Sequence, residues 1–314
     1  MFTRMRRLAV CLALAGLALT ESPGAQAPME FPPPLIQAKT VKLSTHAYVI
    51  PDPETTLVPN VGIVVGSKAT LVVDTGMGNR NGRTILAEVA KVSRNTTLYL
   101  VTTHAHPEHV SGMAAFPEGA VFVAARAQQQ ELEALGERGF AGMAKLSPFI
   151  GELLQGARLR TPGVVFDQEH VLDLGGVKVR LIWMGPAHSP GDTVAVVEGE
   201  GVMFAGDLAP RQQFPSFTGA STRTSFMKAM ARIEALTPKV IVPSHGPYGD
   251  ASIFSELRNM LDQTAVRVAP LKAQGKSVDE VVKILVPEVK ALYPTWRATV
   301  PNEVAPIIRA MYAE

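Results

Sequence analysis

Apolar residues follow two rhythms along this chain, and the switches between them lay out its elements. Val61–Val65 and Thr70–Asp74 are apolar, β-branched runs separated by Gly66-Ser67, which predicts a hairpin. Over Asn81–Arg94 the apolar positions Ile85, Leu86, Val89 and Val92 share one helical face. Thr97–Thr103 (TLYLVTT) and Ala120–Ala124 read as buried strands. Residues 126–158 read as helical, with Phe140, Met143, Leu146, Phe149 and Leu153 at the apolar positions. A second, similar pass follows. Val171–Met184 predicts a hairpin turning at Gly175-Gly176, and Thr193–Ala205 another turning at residues 198–201. Phe226, Met227, Met230, Ile233 and Leu236 mark a helix, and Val240–Val242 a strand. From Ser252 onward the pattern is helical, with Ser277 and Glu280 placed as a capping box. Two strand-rich halves, each flanked by helices, predict an α/β sandwich with the sheets inside and the helices outside.

The first 27 residues follow a different order. Arg4, Arg6 and Arg7 precede the apolar run Leu8–Leu19, and a polar stretch then ends in Ala25-Gln26-Ala27, the layout of a secretory signal peptide. That run is too short to cross a bilayer, which takes about 20 residues. Pro28 sits awkwardly after an Ala-x-Ala cut, so cleavage at a neighbouring bond fits as well. The expectation is an exported, periplasmic or secreted protein. It divides into a signal (1–27), an extended Pro-rich lead-in (28–42), one main domain (43–250) and a helical extension packed on that domain (251–314).

Composition sharpens this division. With 46% apolar and 18% charged residues, disorder is excluded as the dominant state. The formal charge of +2 belongs to the signal: without its three Arg and one Glu, 27 basic and 27 acidic residues remain. A balanced mature chain without a basic run argues against a nucleic-acid partner. The single cysteine, Cys11, also lies in the signal. Disulfides, thiolate metal sites and cysteine nucleophiles are thereby excluded from the mature protein. There is no Gly-x-Ser-x-Gly elbow and no phosphate-binding glycine loop.

Histidine carries the chemistry instead. Three of the seven crowd into Thr103-His104-Ala105-His106-Pro107-Glu108-His109, directly after a buried strand. Alternation places His104 and His106 on one side of an extended segment, and Glu108 and His109 open the following helix. His188 (in Gly185-Pro-Ala-His-Ser-Pro-Gly-Asp192), Asp207 (in Phe204-Ala-Gly-Asp-Leu208) and His245 (in Val242-Pro-Ser-His-Gly246) each follow a strand, flanked by Gly or Pro. Strand C-termini are where α/β proteins place their chemistry. His46, assigned to an N-terminal strand, and His170, assigned to a loop, read as surface residues.

This constellation resembles the metallo-β-lactamase superfamily of metallohydrolases and its αββα four-layer sandwich, here followed by a C-terminal helical extension. The family's His-x-His-x-Asp-His motif corresponds to His104, His106, Glu108 and His109. Its later ligands correspond to His188, Asp207 and His245, and its strand–Asp–Thr–Gly signature to Leu71-Val-Val-Asp74-Thr75-Gly76. The resemblance implies one zinc ion on His104, His106 and His188 and a second on Glu108, His109 and His245. Asp207 would bridge them, and Asp74 would orient a ligand histidine. Iron or manganese also suits such nitrogen and oxygen donors. Glu108 stands where the family usually has Asp, and one extra methylene moves a carboxylate by ~1.5 Å against a tolerance of about 0.2 Å. Ligation and general-base catalysis are therefore both open roles for Glu108.

The resemblance implies a zinc-dependent hydrolase in which a metal-bound hydroxide attacks a carbonyl-type bond in a small molecule: β-lactam, lactone, ester or thioester. The alternative is a metal-binding or redox-associated periplasmic protein on the same fold, without turnover. Export fits β-lactam cleavage. A bridging Asp207 resembles instead the thioester-, lactone- and sulfate-ester-cleaving branches. Phe140, Met143, Phe149, Phe214 and Phe217 are the candidates for an apolar substrate wall. No membrane contact is expected once the signal is removed, and the oligomeric state stays open.

Overall fold

The computed structural model describes residues 32–219, 221–298 and 303–314; the expected export signal lies outside them. In chain order the elements begin β1 (Val41–Lys42), β2 (Ala47–Ile50), β3 (Val61–Val65), β4 (Thr70–Val73), α1 (Gly78–Val92) and β5 (Leu98–Val101). Next come α2 (Pro107–Val110), β6 (Val121–Ala125), α3 (Arg126–Met143), α4 (Pro148–Leu153) and β7 (Val164–Phe166). The second half comprises β8 (Glu169–Asp173), β9 (Lys178–Trp183), β10 (Thr193–Val197), β11 (Val202–Gly206), α5 (Arg223–Glu234) and β12 (Val240–Pro243). It ends in α6 (Ser252–Ala273), α7 (Val278–Leu292) and α8 (Val304–Ala313).

β1 to β7 form one sheet in sequence order, antiparallel up to β4 and parallel beyond it; the other sheet runs β12-β11-β10-β9-β8. Side-chain alternation decides what each face touches. On β4, Leu71 and Val73 join the core between the sheets while Val72 faces the helices; on β10, Ala195 and Val197 face inward and Val194 outward. Three cores result. One lies between the sheets, one between the first sheet and α1, α3 and α4, and one between the second sheet and α5 to α8. The fold is an αββα sandwich, and α6 to α8 share the second half's core through Phe254, Leu257, Leu285 and Ile308.

Local chemistry explains several boundaries. The capping box on α7 is present: Ser277 Oγ accepts from Glu280 N, and Glu280 Oε2 accepts from Ser277 N at 2.8 Å. Thr222 and Ser225 cap α5 in the same way. The helical stretch expected over 126–158 is instead two helices, with Gly136 at φ +50 kinking the first and a break over 144–147. β7 follows at the edge of the first sheet, where a short Val-Val-Phe run offered too little periodicity to be noticed. Among the described residues no helix is long and apolar enough to cross a membrane.

Candidate metal centre

Each histidine- or carboxylate-bearing turn leaves a buried strand at its C-terminal end. After β5 the chain bends over 103–105, His106 is extended, and Pro107 then opens α2, a position where its missing N–H is no loss. His188 follows β9, Asp207 directly follows β11, and His245 lies two residues past β12. The last turn requires glycine. Gly246 has φ +90, and a Cβ there would stand 2.0 Å from the Arg211 carbonyl oxygen.

These turns bring seven side chains together. The ligand atoms of His104, His106 and His188 lie within 4.8 Å of one another, as do those of Glu108, His109 and His245; His104, His109 and Asp207 form a third such group linking the two. His188 Nε2 is 3.2 Å from His104 Nε2 and 3.1 Å from His106 Nδ1. Asp207 stands between the groups, with Oδ2 3.4 Å from His188 Nε2 and Oδ1 3.8 Å from His245 Nε2. Glu108, despite its extra methylene, shares the group with His109 and His245.

Three of the rings are engaged on their far side. His109 Nδ1 donates to Asp74 Oδ2 at 3.0 Å, and Asp74 Oδ1 accepts from Thr103 N at 2.8 Å. Asp74 adopts φ +68, a conformation that suits a short polar side chain bonding locally. His188 Nδ1 donates to the Ser216 carbonyl at 2.8 Å and His245 Nδ1 to that of Val58 at 3.1 Å. In His109, His188 and His245 the Nδ1 proton is thus held outward, and Nε2 points into the cluster.

Two properties fit this donor set to cations. Glu108 Oε2, His109 Nε2, Asp207 Oδ1 and His245 Nε2 are buried without a hydrogen-bond partner. Convergent orphan atoms of this kind are costly unless something satisfies them. The charges agree. Burial, reinforced by neighbouring imidazoles, holds His104 well below its usual pKa and brings His106 down to about 3. Burial also opposes charge on His109, but Asp74 outweighs it and raises that ring to about 9. Burial would raise Asp207, yet the surrounding histidines hold its carboxylate below the usual range. At neutral pH the metal-free cluster thus keeps a second proton on His109, which a cation bound at its Nε2 would displace.

A family model described as "Metallo-beta-lactamase superfamily" matches residues 55–245, more than half of the chain. The chain belongs to the metallo-beta-lactamase superfamily. Among solved structures, a metallo-beta-lactamase from Pontibacter korlensis is 20% identical with a TM-score of 0.56, covering 70% of this chain and 97% of its own. A stereoselective inverting sec-alkylsulfatase, Pisa1 from Pseudomonas sp., is 14% identical with a TM-score of 0.68, and a double mutant of that sulfatase is 15% identical with a TM-score of 0.66. Each sulfatase structure covers 87% of this chain, which spans about half (49%) of the sulfatase. No curated protein sequence matches the chain.

The five candidates for a substrate wall pack into or against the cores of this superfamily member. Phe140, 7% exposed, belongs to the core under the first sheet, with Met143 and Phe149 half-buried against it. Phe214 packs on Trp296 at 5.6 Å and Phe217 stacks on Phe226 at 4.7 Å, so both are core rings of the second half. Helical and loop spacing alone could not separate a wall from a core, because both demand apolar residues at the same positions. His46 sits in the bend between β1 and β2, bonded to Glu200, and His170 lies on β8 with its ring 6.1 Å from Phe166.

Sequence reasoning passed over Asp192. Its Oδ2 accepts from His188 N at 2.7 Å and Ala187 N at 3.2 Å, and burial pushes its pKa up to about 6. An Asp four residues after a histidine in a Ser-Pro-Gly turn was the available signal.

Proposed function

We propose that this protein is an exported zinc-dependent hydrolase of small molecules, cleaving a carbonyl-type bond such as a lactam, lactone, ester or thioester. The observation that carries the reading is the set of orphaned, inward-facing donors at Glu108, His109, Asp207 and His245 beside the His104–His106–His188 cluster. Zinc ions, when bound, supply Lewis acidity and lower the pKa of water toward neutrality. His104, His106 and His188 would hold one ion and Glu108, His109 and His245 the other, with Asp207 shared. Once His109 has given up its second proton, five neutral imidazoles and two carboxylates would offset only half of the +4 on two dications. The remaining positive charge favours an anionic nucleophile and a developing oxyanion. Asp74, Ser216 and Val58 fix ring orientation beforehand, so little reorganisation is left for the reaction itself.

A second reading is sulfate-ester hydrolysis. The likeness to the sec-alkylsulfatase extends over 87% of this chain, beyond the segment that the family model matches. Metal analysis of the purified protein, followed by assays with nitrocefin, a lactone, a thioester and an alkyl or aryl sulfate, separates the readings. About two zinc ions per chain, with turnover abolished by His106→Ala, is the expected result. A fully loaded protein that turns over no member of this panel would sink the hydrolase reading and favour a binding role.

A further inference from the structure

Two charged residues outside the superfamily-matched segment close around the His245 turn. Asp52 has a fully buried side chain whose Oδ2 accepts from Gly246 N at 3.0 Å and from Arg297 Nη2 at 2.7 Å. Its Oδ1 accepts from Thr55 N, and its own N–H donates to Asn60 Oδ1. Asn60 Nδ2 in turn donates to the carbonyls of Pro243 and Gly246, each at 2.8 Å. The same loop supplies Val58 O, the acceptor that orients the His245 ring. Both ends of the turn carrying His245 therefore hang on the Asp52–Asn60 loop.

Arg297 ties that loop to a third segment. Its N–H donates to Gln212 O and its carbonyl accepts from Phe214 N, both at 2.9 Å, so its backbone pairs with the strand-like stretch that follows Asp207. We propose that Arg297, acting through Asp52, is a positioning residue for the Glu108–His109–His245 group, so that the C-terminal extension completes the metal centre. The inference rests on the reading that this group holds a metal ion. A buried carboxylate loses its compensation when its cationic partner goes, and removing one member of such a pair disrupts far more than the pair contributes. The carboxylate is then left without the guanidinium that fixes it, and Gly246 N loses an acceptor held in place. The hydrogen bonds of His104 and His106 do not reach this network, so the effect falls on one group and spares the other.

The test compares wild type with Arg297→Gln, Arg297→Lys and the Asp52→Asn/Arg297→Gln double variant. Amide exchange on the metal-free proteins comes first, then cobalt titration followed by the visible spectrum. Arg297→Gln should lose protection over residues 243–246 but not over 104–109, and should bind the second cobalt about 10- to 100-fold more weakly while leaving the first unchanged. Arg297→Lys, and the double variant without a buried charge, should recover most of both losses. Unchanged protection at 243–246 in Arg297→Gln, or equal weakening of both cobalt events, would overturn the proposal. A wild-type protein that takes up no cobalt would overturn the metal reading instead, while exchange still decides whether Arg297 holds the turn.

Discussion

The two sheets build one centre by opposite routes. The first half places His104, His106, Glu108 and His109 within six residues and orients its rings with side chains, Asp74 and Thr103. The second half places His188, Asp207 and His245 at three separate strand ends and orients its rings with the backbone carbonyls of Ser216 and Val58. One half is a local motif whose support can be removed with a single side chain. The other is a property of the fold: its ring acceptors are backbone carbonyls, disturbed at the backbone itself or through a distant tie such as Asp52–Arg297.

Asp207 is where the two routes meet, and its loss should have the largest effect. Its oxygens face His188 on one side and His245 and His109 on the other. Asp207→Ala removes the one carboxylate shared between the groups and leaves five clustered imidazoles with only Glu108 facing them from inside the cluster. Turnover on any substrate that the wild type accepts should fall by more than about 100-fold, the upper end of what an outer partner's loss costs. Metal content should drop below one per chain by elemental analysis. Retention of two tightly held ions would show that the halves do not share this ligand.

A paired experiment sharpens the contrast. Asp74→Ala removes the acceptor that fixes His109, and should weaken metal binding about 10- to 100-fold with near-normal binding at the His104–His106–His188 group. In the second half Gly246→Ala acts on the backbone itself, forcing a Cβ against the Arg211 carbonyl. That change should lower stability along with affinity, because positive φ alone costs about 1–2 kcal/mol for a non-glycine residue. Calorimetric unfolding beside metal titration separates the two cases. If Asp74→Ala destabilises the metal-free fold as much as Gly246→Ala does, the distinction between side-chain and backbone support fails.

This contrast also explains what was legible in the sequence. The histidine-rich turn after TLYLVTT could be read because all its parts are neighbours in the chain. His188, Asp207 and His245 could be read because each carries a local mark, a strand followed by Gly or Pro. The αββα layering followed from the alternation of strand and helix periods. Asp52, Asn60 and Arg297 carried no mark, because their partners lie 183 to 245 residues away and only the folded chain brings them together. The aromatic residues were ambiguous for another reason. Phe140, Phe214 and Phe217 have the spacing of a core and of a wall alike, and the structure packs them into cores.

The smallest expected effect concerns how the lead-in and the bend after β1 are fastened, since each half grips one of them with a carboxylate. Glu88 on α1 accepts from Thr40 N at 3.1 Å and Thr40 Oγ1 at 2.6 Å and pairs with Lys91. Glu200, in the turn joining β10 and β11, accepts from Ser44 Oγ and from His46. Burial acts to raise both pKa values, but these donors outweigh it and hold both carboxyls below their usual range. A carboxyl whose pKa is lowered by folding binds fewer protons in the folded state than in the unfolded one. Its contribution is therefore complete above about pH 4.5 and disappears as the pH falls through the lowered folded value. Glu88→Gln and Glu200→Gln should each cost about 1 kcal/mol at pH 7, the ordinary worth of hydrogen bonds to a charged group with partial exposure. In urea melts the gap to wild type should stay constant from pH 7 to about 5 and narrow as the pH falls below about 4.5. A gap that persists undiminished at pH 3 would mean that the carboxylate charges do not fasten these segments, and that packing around β1 holds them in place.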